Sequence, residues 1–170
     1  MIVPTSEHSH SHRSHSVNES AAREVKLSFL KNRDSILSEV KYPILIYRYS
    51  RDNCSNCIVE DLSELNIFQE EAGKDKVLVL PSFEESPNNS RMFANQLANF
   101  AYKNMSANLL IFPKDKNGFA YRYFALIDGK GNLGEIHFPQ IRHTDVTKAY
   151  FGRVKGYFNS VQQPTTEIKF

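Results

Sequence analysis

Two cysteines occur among the 170 residues, and they stand three apart as Cys54-Ser55-Asn56-Cys57. Their placing constrains the chain more than their spacing does. Residues 43–50 (PILIYRYS) precede them, rich in β-branched and aromatic types, and read as a strand with a mostly apolar, buried start. Behind them Ile58, Leu62, Leu65 and Phe68 recur with helical period, and Gly73 is a natural stop. A pair held at such a junction puts its first sulfur where unpaired amide N–H groups and the positive end of a helix dipole favour a thiolate. The second sulfur follows one turn later on the same face, placed to resolve a mixed disulfide. Cys54 is the candidate nucleophile and Cys57 the candidate resolving thiol. Arg51 adds positive potential nearby, and Asp52 opposes it.

Other uses of the pair fit less well. A disulfide closing so short a loop restrains little of the unfolded chain. Zinc needs four ligands at short spacings, and no second CxxC is present. His137 and His143 lie about eighty residues from the cysteines, too far for a zinc-finger spacing. His137 is predicted to be a solvent-side strand residue and His143 a loop residue. No metal is therefore expected.

The rest of the chain divides by period and punctuation. Val25, Phe29, Leu30, Ile36, Leu37 and Val40 form a helical stripe within 20–40, ended by Tyr42-Pro43. A short strand over 76–80 is predicted, closed by Pro81. Ser86-Pro87 opens a helix with Phe93, Leu97, Phe100 and Ala101 on one face. An extended segment is predicted over 108–112. Runs at 121–128 and 133–138, separated by Gly129-Lys130-Gly131-Asn132, read as a β-hairpin. A last helix starts near Thr144, with Val146, Tyr150, Val154, Tyr157 and Phe158 on its apolar face. The tyrosines that alternate on strands (Tyr47, Tyr49, Tyr121, Tyr123) are expected in the core or on sheet faces. Glu60, Asp61 and Glu64 are expected on a solvated helix face. The order predicts an α/β fold with a mixed sheet between helices.

Residues 1–19 are Ser- and His-rich, with His8, His10, His12 and His15 close together, and read as a flexible tail. The globular domain is expected over 20–160, with a second tail over 161–170. With a net charge of +2 and both signs interspersed, no basic stripe points to nucleic acid. Apolar runs are far shorter than the roughly 20 residues needed to span a bilayer, so no membrane-spanning segment is predicted. No signal peptide is visible. No phosphate loop, dinucleotide fingerprint or Ser–His–Asp arrangement is found, so no cofactor is expected.

The strand–CxxC–helix unit and the stretch FALIDGKGNLGEIHF (residues 124–138) resemble the thioredoxin-like superfamily, and most closely bacterial extracytoplasmic redoxins of the membrane-tethered thiol–disulfide oxidoreductase type. The hairpin turn Leu126-Ile-Asp-Gly-Lys-Gly131 is similar to theirs. The resemblance covers about residues 25–160. It implies a thioredoxin-like mixed sheet sandwiched by helices, disulfide exchange with a protein partner through Cys54 and Cys57, and a periplasmic or other extracytoplasmic setting. Thioredoxin-like enzymes also place a cis-proline directly before the hairpin strand. Here the matching stretch, Gly118 to Phe124, has none. Arg51, three residues before Cys54, departs from the Thr or Ser of a peroxidase site. The missing proline supports the alternative, a catalytically silent binding or scaffold protein on the same frame.

Overall fold

The computed structural model describes residues 6–162, with side chains from Asn18 to Val161. Among the described residues the α-helices and strands follow in the order α1 (Ser6–Lys31), α2 (Arg33–Leu37), β1 (Ile44–Ser50), α3 (Ser55–Ala72), β2 (Val77–Ser82), α4 (Pro87–Gln96), β3 (Tyr123–Ile127), β4 (Leu133–His137) and α5 (Thr144–Gln162), with a single 3-10 turn at Lys74–Lys76 between α3 and β2. The four strands form one sheet in the order β2-β1-β3-β4. β1 runs parallel to β2 across a helical crossover and antiparallel to β3, while β3 and β4 pair antiparallel as a hairpin.

β1 is the centre of the molecule. Its odd-numbered residues Leu45, Tyr47 and Tyr49 enter the core shared with α3, α4 and α5. Ile44 and Ile46 enter a second core with Ala21, Val25, Phe29, Ile36 and the inward residues of β3. Period-two alternation explains the division, and burial on both faces explains the run of apolar types. The α/β class and the mixed sheet with helices on both faces are as the sequence predicts. Helix α3 buries Ile58, Leu62, Leu65 and Phe68 and stops at Gly73, whose φ of 116° favours glycine. Ser86 caps α4 by accepting from the Asn89 N–H, with Pro87 at the first helical position. In the hairpin, Asp128 Oδ1 accepts from the N–H groups of Lys130 and Asn132, both at 2.9 Å. Gly131 has φ 77°, and a Cβ there would stand 2.9 Å from Leu37 Cδ1 and from the Arg33 guanidinium. Arg33 donates to the Gly131 and Lys130 carbonyls, and the Gly129 N–H donates to the Tyr157 hydroxyl. The hairpin turn is thus a joint between α2 and α5.

Several expectations are corrected. The segment 108–112 is not a strand: residues 107–109 form a turn. The chain that lies beside β2 is instead 101–105, through Val79 N–H to Ala101 O, Lys103 N–H to Val79 O and Met105 N–H to Pro81 O, each 2.9 Å. The apolar residues that suggested a strand, Leu110 and Phe112, are buried against the second core without pairing. Pro81 lies inside β2 rather than closing it. Leu30 and Val146, placed on apolar stripes, are exposed by 65% and 52%. Helix α1 runs without a break from Ser6 to Lys31. No Gly or Pro interrupts residues 6–31, so nothing local stops helix propagation. The side chains of His8, His10, His12 and His15 lie outside those described. Helix α5 continues to Gln162, and 163–170 lie outside the described residues.

Candidate functional site

β1 delivers the chain to a tight loop, and α3 begins as the loop ends. Asn53 organises the junction. Its Oδ1 accepts from the Ser50 N–H at 2.8 Å, and its Nδ2 donates to the Ala120 carbonyl at 2.9 Å. The cysteine loop is thereby tied to the segment that leads into β3.

Cys54 is the N-cap of α3, where the helix has no carbonyl partners for its first N–H groups. Its Sγ accepts from the Cys57 N–H at 3.2 Å. Both sulfurs are free thiols, Cys54 exposed and Cys57 buried. The sequence-predicted pair is therefore brought together with unequal access. The Cys54 thiol is lowered from its ordinary value, first by a hydrogen bond from the Cys57 side chain, then by the backbone N–H of Cys57. Cys57 is pushed up to about 11, chiefly by burial and then by donating that bond. The pair is thus divided between one sulfur disposed to ionise and one disposed to keep its proton.

Beneath the cysteines lies a charged cluster that the sequence reading missed. Asp61, expected on a solvated face, is buried at 3% exposure. It accepts from the Tyr47 hydroxyl at 2.6 Å and from Arg122, whose Nε and Nη2 both point at its carboxylate, the second at 3.4 Å. Burial raises the Asp61 pKa, and the hydrogen bonds from Arg122 and Tyr47 oppose it. Asp61 is four residues past Cys57 and three past Ile58, so the apolar phase of α3 already placed it inward. Arg122 stands directly before β3, the position where the family resemblance implies a proline. Its positive charge favours the thiolate at both cysteines. Among the described residues the one cis peptide bond is Tyr42–Pro43, before β1 and at its far end from Cys54.

His137 is also corrected. It is half-buried on β4, stacked on Tyr150 with ring centroids 5.0 Å apart, and its Nε2 lies 2.8 Å from Thr147 Oγ1. Burial is the main cause that lowers its pKa to about 4. A lowered base stabilises the fold fully above the unfolded histidine value of about 6.5 and loses that stability as pH falls toward 4. His137→Asn is therefore expected to lose roughly 2 kcal/mol less than the wild type between pH 7 and pH 4.5. Urea unfolding at the two pH values measures it; equal slopes contradict it.

No family model matches the chain, and no curated protein does. Among solved structures, it is similar to the crystal structure of a thio-disulfide isomerase from Thermus thermophilus, at 12% identity, over 71% of this chain and 83% of that one, with a TM-score of 0.48. The fold is a mixed four-stranded sheet between helices, with Cys54 and Cys57 spaced as a CxxC pair where its central parallel strand passes into a helix. Among the described residues, no helix is long and apolar enough to cross a membrane.

Proposed function

We propose that the chain is a thiol–disulfide oxidoreductase that exchanges disulfides with a protein partner. The observation that carries this reading is the asymmetry of the pair. Cys54 is exposed and its sulfur accepts from the Cys57 N–H in the first turn of α3, while Cys57 is buried one turn behind. The Cys54 thiolate attacks one sulfur of the partner's disulfide. That S–S bond breaks, a mixed disulfide forms, and the partner's other sulfur leaves as a thiolate. Cys57 then gives up its proton and attacks Cys54 Sγ. The Cys54–Cys57 disulfide forms and the partner leaves with two thiols. Two electrons pass from the pair to the partner, and the reverse sequence oxidises a partner dithiol. The extracytoplasmic, bacterial setting implied by the resemblance belongs to the same proposal.

Alkylation of the reduced protein by iodoacetamide across pH 5–11 tests it. Cys54 is expected to titrate below the free-thiol value of about 8.5 and to react faster than Cys57 at every pH in that range. Cys57→Ser is expected to accumulate a mixed disulfide with a peptide disulfide, and Cys54→Ser to lose exchange. Two thiols that alkylate no faster than a free peptide thiol would remove the enzyme and leave the scaffold reading, which Arg122 in place of the proline favours.

A further inference from the structure

Beside the cysteine loop opens a groove of about 1090 Å³ at the carboxyl ends of the two parallel strands, reaching Ser50 of β1 and Ser82 of β2. The chain leaves β1 through α3 toward β2, while β3 pairs on the other side of β1. A crevice at the strand ends near such a parting is where ligands enter open α/β sheets. Its volume exceeds the roughly 300–1,000 Å³ of small-molecule pockets, and its shape is open rather than enclosed. Phe83 and Phe112 supply apolar wall.

Acidic side chains outnumber basic ones within it. Glu24, Asp52, Glu84 and Glu85 line the groove, against Arg51 and Lys114. None of the four carboxylates has an ion-pair partner among the described residues, whose salt bridges all lie elsewhere. Arg51 is held by Asn89 Oδ1 at 3.0 Å. A chain of net charge +2 therefore carries a net negative trough. Asp52 is two residues from Cys54, so their Cα atoms are at most about 7.6 Å apart. A polypeptide whose cysteine is bonded to Cys54 can lay its neighbouring residues into the trough.

We propose that this groove docks the basic segment flanking the reactive cysteine of the partner protein, and so selects partners whose disulfide lies beside lysine or arginine. The proposal rests on the exchange reading above and adds its substrate class. Complementary charge raises the encounter rate and discriminates against acidic partners.

Two disulfide-linked peptides test it, identical except for Lys-Lys or Glu-Glu two and three residues from the cysteine. With the reduced full chain at low ionic strength, the Lys peptide is expected to react about 10-fold faster, and the ratio to fall below about twofold in 1 M salt. In Glu84→Lys/Glu85→Lys the ratio is expected to fall to about one or to invert. Both side chains are exposed in a loop, so the substitution leaves the core untouched. Equal rates for the two peptides, or faster reaction of the Glu peptide, overturn the groove proposal. Neutral bis(2-hydroxyethyl) disulfide separates the two levels. If the wild type attacks it through Cys54 and shows no peptide preference, only the groove proposal fails. If the wild type attacks none of the three disulfides, the exchange reading falls and takes the groove with it.

Discussion

Arg122→Met is expected to unfold roughly 6–20 °C below the wild type, a loss of about 3–5 kcal/mol. The reason lies in what stays behind. The side chains of Asp61 and Arg122 are 4% and 13% exposed and form an ion pair. Methionine fills much of the space of the arginine stem but leaves a buried carboxylate with only the Tyr47 hydroxyl. Removing one member of a buried pair is far more destructive than removing both. Asp61→Asn/Arg122→Met should accordingly recover much of the loss, and the double-mutant cycle should give a coupling of about 2–3 kcal/mol. The deficit depends on pH. Burial already raises the Asp61 pKa, and loss of the cation raises it further. A raised acid holds its proton in the folded state after the unfolded chain has released it, so stability falls as pH climbs from about 4 through the folded value. The gap between Arg122→Met and the wild type therefore widens between pH 5 and pH 7.5. Urea unfolding at both values checks this, and a loss under about 1 kcal/mol at neutral pH contradicts it. The same substitution removes a positive charge that favours both thiolates, so Cys54 should also alkylate more slowly at neutral pH.

What the sequence made legible was governed by short-range rules. The cysteine loop, α3 and its glycine stop, the Ser86-Pro87 helix start and the hairpin turn each follow from period or punctuation within about twenty residues. Two buried charges follow from phase rather than from residue type. Asp61 was grouped with Glu60 and Glu64 by charge, although it falls between Ile58 and Leu65 on the inward face of α3. Arg48 alternates with Ile44 and Ile46 on a strand buried on both faces, which already placed it inside. His137 reads as solvent-side on its strand until α5 is laid over it. Arg122 is different in kind: no local pattern in 118–124 shows that its guanidinium meets a carboxylate 61 residues away. Long-range pairing of this sort is a property of the folded chain. The same holds for 101–105 taking the place beside β2 that the apolar composition of 108–112 suggested for that segment.

Arg48 supports the second large prediction. It is fully buried, and no carboxylate is among its hydrogen-bond partners. Its guanidinium donates instead to three backbone carbonyls: Leu110 through Nε and Nη2, Leu80 through Nη1 and Ser106 through Nη2, at 2.6–3.1 Å. Its Cζ lies 4.3 Å from the centre of the Phe112 ring. Burial lowers its pKa to about 10, which leaves it charged at neutral pH. Carbonyl dipoles and an aromatic face thus stand in for a counterion, and in return the guanidinium holds the irregular segment 106–112 against the sheet. Arg48→Met should cost about 3 kcal/mol, because the Leu110 carbonyl loses both side-chain donors and the contact with Phe112 loses its charge. Arg48→Lys should recover little of it. A lysine ammonium is a point charge that cannot span three carbonyls or stack flat on a ring. Segment 106–112 forms a wall of the groove beside Cys54, so amide exchange there should accelerate in both variants while α3 and β1 stay protected. Full rescue by lysine would mean that charge alone holds the wall, and the planar fork would lose its role.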